Sequence, residues 1–146
     1  MAGEASLIGK SYEPFEYEVG REKIREYAHV VGETNPVHFD PHAAHEAGFR
    51  AVVAPPMFAA VYSAGAVAPA MLDPTVGMNF AMMVHGGQEF AWWELVYAGD
   101  TITTTASVRD ISARETMKFY VFESVSVNQD GLEVTRGTWT NIERGG

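Results

Sequence analysis

Between Ala51 and Leu72 the chain runs for 22 residues without a charged side chain. Such a stretch fits either a membrane span or a helix that is apolar all round and buried in protein. Pro55, Pro56, Gly65 and Pro69 interrupt it and alanine dominates it, which opposes a span. A buried helix is therefore predicted, opened by Pro55-Pro56 and closed by Pro69 and Asp73-Pro74. Ala59, Ala60, Ser63, Ala64, Gly65 and Ala66 give it a surface of small residues. Neighbouring backbone can approach such a surface closely, as a helix wrapped by a sheet requires.

The rest of the chain supplies a sheet. Residues 1–75 read as helical or irregular, apart from a short first strand at Phe15 to Val19. Arg21 to Val31 has helical spacing, with Ile24, Tyr27, Ala28 and Val31 on one face and Gly32 as its stop. Asp40-Pro41 starts a short helix that Gly48 ends. From Phe80 onward the period is two. Ile102, Thr104, Ala106 and Val108 alternate with Thr101, Thr103, Thr105 and Ser107. In the next run Met117, Phe119, Val121, Val125 and Val127 share one face, and Lys118, Tyr120, Ser124 and Ser126 the other, as in a half-buried antiparallel sheet. Asp130-Gly131 marks a tight hairpin and Ala98-Gly99-Asp100 another turn. The predicted class is α+β: an early strand, a long buried helix, then a four-strand meander.

At 146 residues the chain is one domain, 1–146, large enough to bury its own core. It has no cysteine, which excludes disulfides, thiolate metal sites and thiol nucleophiles. A formal charge of −9 argues against general nucleic-acid binding and against an anionic membrane surface. No basic segment followed by an apolar run opens the sequence, so a cytoplasmic location is expected.

The chemically informative stretch is Gly32-Glu33-Thr34-Asn35-Pro36-Val37-His38-Phe39-Asp40, between two predicted helices. Asn35-Pro36 makes a turn that can bring Glu33 and His38 together around one small site. A carboxylate beside an imidazole can handle one water and one carbon acid: one group moves the proton and the other orients the water. A turn histidine satisfied by local hydrogen bonds is the alternative. His42 and His45 lie three apart on a short helix, without a convincing further metal ligand.

These residues carry a resemblance. Gly-Glu-Thr-Asn-Pro-Val-His-Phe-Asp-Pro is similar to the Gly-Asp-x-Asn-Pro-x-His-x-Asp motif of MaoC-like hydratases. Tyr17 to Ala28, the Ala-Pro-Pro-x-Phe segment Ala54 to Phe58, the His-Gly-x-Gln-x-Phe strand His85 to Phe90, and Gly99-Asp100 resemble, in order, the FAS1-like branch of that family. The resemblance covers roughly residues 8–143. It implies a single hot-dog fold, an antiparallel sheet wrapped around a long central helix. It also implies reversible syn addition of water to a trans-2-enoyl thioester of coenzyme A or acyl carrier protein, giving an (R)-3-hydroxyacyl thioester. His38 would be the base, Glu33 would orient the water, and Asn35 would hold the loop or bond the substrate. No metal or redox cofactor is implied. The expected assembly is a homodimer, or a heterodimer with another MaoC-like subunit.

Two positions depart from the hydratase pattern. Glu33 stands where the motif has Asp, which moves the carboxylate by about 1 Å, a displacement able to cost on the order of 100-fold in rate. Pro56 stands where a glycine N–H usually binds the thioester oxygen; proline has no N–H, so Met57 N–H at the helix start would take that role. Two rival functions follow: a non-catalytic acyl-binding subunit of a heterodimer, and a thioesterase on the same fold. His85 is expected to be structural or at an interface. Of the adjacent Trp92 and Trp93, one is expected in the core and the other at an interface or acyl tunnel. Arg109, Arg114 and Lys118 are candidates for the phosphates of coenzyme A, against the plainer reading of a solvated hairpin end.

Overall fold

The computed structural model describes residues 4–145. Its helices are α1 (Arg21–Val30), α2 (Pro41–Glu46) and α3 (Ala59–Met71), the last preceded by a 3-10 turn at Pro56–Phe58. Its strands are β1 (Phe15–Glu18), β2 (Met83–Trp92), β3 (Thr101–Arg114), β4 (Met117–Val127) and β5 (Glu133–Arg144). All pair antiparallel in one sheet of order β1-β3-β4-β5-β2, curled around α3. This is the α+β hot-dog arrangement. Among the described residues no helix is long and apolar enough to cross a membrane.

The alanine-rich helix is buried against the sheet as its composition requires. Tyr62, Ala66, Val67 and Ala70 are almost wholly shielded. Gly65 shows why small residues are needed: a Cβ there would lie 2.6 Å from the Phe15 ring, which rests on the helix. On the sheet side Gly137 serves the same end, since a Cβ would meet Ser124 Oγ at 2.5 Å and Phe90 at 2.7 Å.

Three expectations change. Pro69 does not close α3 but sits in its last turn, and the helix continues to Met71. Tertiary bonds hold that turn: Asp73, just beyond it, accepts from Lys10 Nζ (2.5 Å) and the Tyr12 hydroxyl (2.7 Å). Next, the four-strand meander is a three-strand one. β3, β4 and β5 follow in order, while β2 lies on the far side of β5. The β2–β3 connection cannot turn tightly because it is pinned to Val52–Ala54 on its way, through Ala54 N–H to Val96 O and Ala98 N–H to Val52 O. Finally, β4 buries its less apolar face. Tyr120, Phe122, Ser124 and Ser126 face the helix, and Phe119, Val121, Val125 and Val127 are half-buried on the outside.

The Asp73 clasp gives a pH prediction. The bond from Lys10, then those from Tyr12 and Thr75, hold the Asp73 carboxyl well below the usual carboxylate range. A group whose pKa is lower folded than unfolded stabilises the fold above its unfolded pKa of about 3.9 and stops doing so as pH falls through the folded value. Melting curves are therefore expected to show a larger loss of Tm between about pH 5 and pH 2.5 in the wild type than in Asp73→Asn. Parallel losses in the two proteins would overturn this.

Candidate active site

The loop after α1 is built by a Schellman turn. Gly32, at φ 79°, donates its N–H to His29 O, and Glu33 N–H bonds Ala28 O at 2.8 Å. The helix end thus fixes the backbone of Glu33. Asn35 then caps a 3-10 turn, Pro36–His38, by accepting from Val37 N–H at 3.2 Å. Asp40 caps α2 in the same way through His42 N–H, so the loop is closed at both ends by its own polar side chains.

Val53 holds this loop against the core. Its N–H donates to Val37 O at 3.0 Å, and its carbonyl lies 2.7 Å from His38 Nδ1. A carbonyl only accepts, so Nδ1 carries the proton and Nε2 keeps its lone pair in the neutral ring. His38 is 8% exposed, and its Nε2 is 3.7 Å from Glu33 Oε2. That gap is too long for a direct hydrogen bond, yet one water can bond both atoms at about 2.8 Å each. The negative charge of Glu33 is also felt by Tyr27, whose hydroxyl pKa is pushed up mainly by burial and further by that carboxylate.

His38 opens onto a groove of about 640 Å³. Asn35 and Pro56 line it with His38; Phe49, Trp93 and Leu95 supply apolar wall, and Tyr62 is also part of the lining. The Tyr62 hydroxyl bonds Thr135 Oγ1 at 2.9 Å, and burial pushes its pKa up to about 12, so it stays neutral. The structure thus gathers His38, Asn35 and Pro56 around one cavity, with Glu33 beside the imidazole. Met57 is not part of the lining; its side chain is exposed, and its N–H stands in the first turn of the Pro56–Phe58 helix, where helices leave donors unpaired.

Other expectations fare differently. Neither tryptophan is in the core: Trp92 is 46% and Trp93 55% exposed, because β2 is an edge strand that ends there. Both line the groove, and Trp92 Nε1 donates to Pro56 O at 2.8 Å, tying the edge strand to the start of the central helix. His85 is exposed on β2, with Nδ1 3.4 Å from Asn141 Oδ1. His42 pairs with Glu46, while His45 Nε2 bonds Arg50 O; among the described residues no group of three or more such side chains is placed to hold a metal.

The basic hairpin lies away from the groove. Trp92 is level with Thr135, Ser126 and Thr104 across the sheet, whereas Arg114 is ten residues further along β3. That is about 30 Å of strand. Lys118 is in addition paired with Glu4, and Arg109 with Glu123. One of the two tryptophans is expected at an interface or acyl tunnel, and both line the groove; the Val53 carbonyl and Tyr62 were not foreseeable as parts of the site. The first is backbone and carries no sequence signal; Tyr62 reads as a generic aromatic residue of the buried helix.

The family described as "FAS1-like, dehydratase domain region" matches residues 6–136. A "UPF0336 protein" of Saccharopolyspora erythraea is 40% identical over 146 residues, covering 99% of this chain and 94% of its own. A chain of the C-terminally truncated HadBC (3R-hydroxyacyl-ACP dehydratase) complex from Mycobacterium tuberculosis has a TM-score of 0.83 at 26% identity, covering 93% of this chain and 96% of that one. The (R)-hydratase of A. caviae involved in PHA biosynthesis shares the fold, with a TM-score of 0.69 at 16% identity over 94% of this chain and 96% of that one. With a groove that presents the motif histidine and a sheet curled around one helix, this chain belongs to the FAS1-like dehydratase family of MaoC-like hot-dog proteins.

Proposed function

We propose that the protein hydrates trans-2-enoyl thioesters to (R)-3-hydroxyacyl thioesters and catalyses the reverse dehydration. The observation that carries this reading is the His38 ring, locked through Nδ1 to Val53 O, with a free Nε2 at the groove beside Glu33. One water held between Nε2 and the carboxylate supplies everything the reaction adds. Its oxygen bonds to C3 as Nε2 takes one of its protons, the C2=C3 π pair moves to C2, and Nε2–H returns that proton to C2 on the same face, leaving the imidazole neutral again. Negative charge that builds on the thioester oxygen is assigned to Met57 N–H, which does not itself line the groove but follows the groove-lining Pro56 at the helix start. The substrate and water account for every atom, so no redox cofactor is required.

The free edge of β2 supports assembly as a dimer. It is ten residues long, has no strand on its outer side among the described residues, and borders the groove through Trp92. Pro56 and Glu33, the two departures from the hydratase pattern, favour a second reading in which this chain binds the acyl group and a MaoC-like partner supplies the chemistry. Incubating the purified chain with a panel of trans-2-enoyl thioesters separates the readings. Loss of the conjugated double bond by the chain alone is the expected result. Turnover only after a second MaoC-like subunit is added would favour the partner reading, and release of thiol without hydration would indicate a thioesterase.

The Glu33 side chain gives a graded test. Its backbone is fixed by the Schellman turn and its carboxylate is already 3.7 Å from Nε2. Glu33→Asp withdraws the carboxylate by about 1 Å, and kcat is expected to fall by about 10- to 100-fold. A rise in kcat would show instead that glutamate is a compromise.

A further inference from the structure

We propose that Arg50 is the anchor for the phosphate at the far end of the substrate's pantetheine arm. That group is common to coenzyme A and acyl carrier protein, and the proposal rests on the thioester reading above.

The need for an anchor follows from charge. The groove walls are largely apolar, the carboxylates of Glu94 and Glu33 stand at or beside it, and the chain carries −9 overall. A phosphate brought there meets repulsion unless a cation is fixed nearby. Arg109 and Lys118 lie on the hairpin away from the groove, Lys10 bonds Asp73 at the other end of α3, and Arg136 gives both Nε and Nη2 to Glu133. Arg50 is the cationic residue that directly follows a groove-lining residue, Phe49. It is three residues from Val53, whose carbonyl holds His38. Three residues span at most about 11 Å of chain. A pantetheine arm bound along the groove covers such a span.

The side chain is preorganised for the task. Its guanidinium lies 4.1 Å from the centre of the Tyr97 ring, which itself packs 6.3 Å from the Phe49 ring. Nη2 donates to Asp100 Oδ1 at 2.5 Å, and His45 Nε2 bonds the Arg50 carbonyl. Yet 53% of the side chain faces solvent. A guanidinium has five N–H groups in a rigid fork, so donors remain for a phosphate beside the one given to Asp100. Asp100 is wholly buried and also accepts from Gln129 Nε2 and Tyr97 N–H, both at 2.9 Å. It therefore has other donors besides Arg50, and what the ion pair adds is a fixed arginine orientation. A cation already immobilised loses little freedom on binding an anion.

Steady-state kinetics on trans-2-enoyl thioesters of phosphopantetheine and of pantetheine test the proposal. The wild type is expected to show the lower KM on the phosphorylated thioester; equal values would overturn the proposal without any variant. Arg50→Gln is expected to raise KM on the phosphorylated thioester by about ten-fold, with kcat unchanged, and to leave the unphosphorylated one alone. Equal effects on both would mark Arg50 as structural and overturn the proposal. Binding of phosphopantetheine and of pantetheine by calorimetry provides the same contrast without chemistry. Turnover without phosphate preference sinks the Arg50 proposal alone, whereas phosphate-dependent binding without turnover sinks the hydratase reading alone. Repeating the comparison with enoyl-CoA and an enoyl carrier protein identifies the source of the phosphate. An Arg50→Gln effect on either supports the anchor, and an effect on neither overturns it.

Discussion

His38→Ala is expected to lower kcat/KM for enoyl-thioester hydration by about 1,000-fold, within the range that a positioned acid–base group contributes. The loss should fall on kcat, because removing the imidazole takes away the group that moves the proton and leaves the groove for the acyl chain in place. Truncation has a second consequence. His38 is 8% exposed and its ring satisfies Val53 O, so alanine leaves a buried carbonyl unpaired at about 1–3 kcal/mol. His38→Asn separates the two effects. Its side-chain amide stands near the position of Nδ1 and can still donate to Val53 O, but it offers no base. The asparagine variant is expected to melt close to the wild type and to be as inactive as the alanine variant. Loss of the conjugated double bond, followed beside a thermal melt, reads both. Asparagine activity above a tenth of wild type would remove His38 from the role of base.

The parts of this site that were legible in the sequence are those built by local chemistry. Gly32 as a helix stop, Asn35-Pro36 as a turn and Asp40-Pro41 as a helix start each act within a few residues, and each is in place. Together they set Glu33 and His38 side by side. What was not legible depends on contacts far along the chain. The outward face of β4 carries Phe119, Val121, Val125 and Val127, which hydropathy alone would bury. The buried face instead carries Ser124 and Ser126, tolerated because Trp139 Nε1 bonds Ser124 Oγ at 2.9 Å and Thr104 Oγ1 lies 2.7 Å from Ser126 Oγ. Those partners sit on β5 and β3, and no period within β4 reveals them. Arg50 escaped notice for a related reason. It precedes the uncharged stretch by one residue, and only the pairing of Val52–Ala54 with the β2–β3 connection brings Tyr97 and Asp100 to it.

The same dependence on tertiary packing makes Phe58→Ala the most damaging core substitution we expect. Phe58 is fully buried at the junction of the Pro56–Phe58 turn and α3. Its ring meets those of Tyr17, Tyr27 and Tyr62 edge-on, with centroids at 6.2, 5.5 and 6.2 Å. These three tyrosines come from β1, α1 and α3, so one side chain joins the first strand, the helix that leads into the Glu33 loop and the central helix. Deleting it removes the apolar burial and leaves a cavity that four elements cannot close together, at about 3–5 kcal/mol. For a chain of this size that is a fall in Tm of about 10 °C or more. Phe58→Leu keeps most of the volume and is expected to recover most of the loss. Activity should track the site more sharply than stability. With Phe58 gone, the turn that presents Pro56 and Met57 loses its side-chain support from below and keeps its own backbone bonds, Phe58 N–H to Pro55 O among them, and the Trp92 bond to Pro56 O. Phe58→Ala is therefore expected to lose kcat even well below its own Tm, with Phe58→Leu close to the wild type. Full activity in a folded Phe58→Ala protein would show that the backbone bonds of the turn and the Trp92 bond fix it without the Phe58 ring.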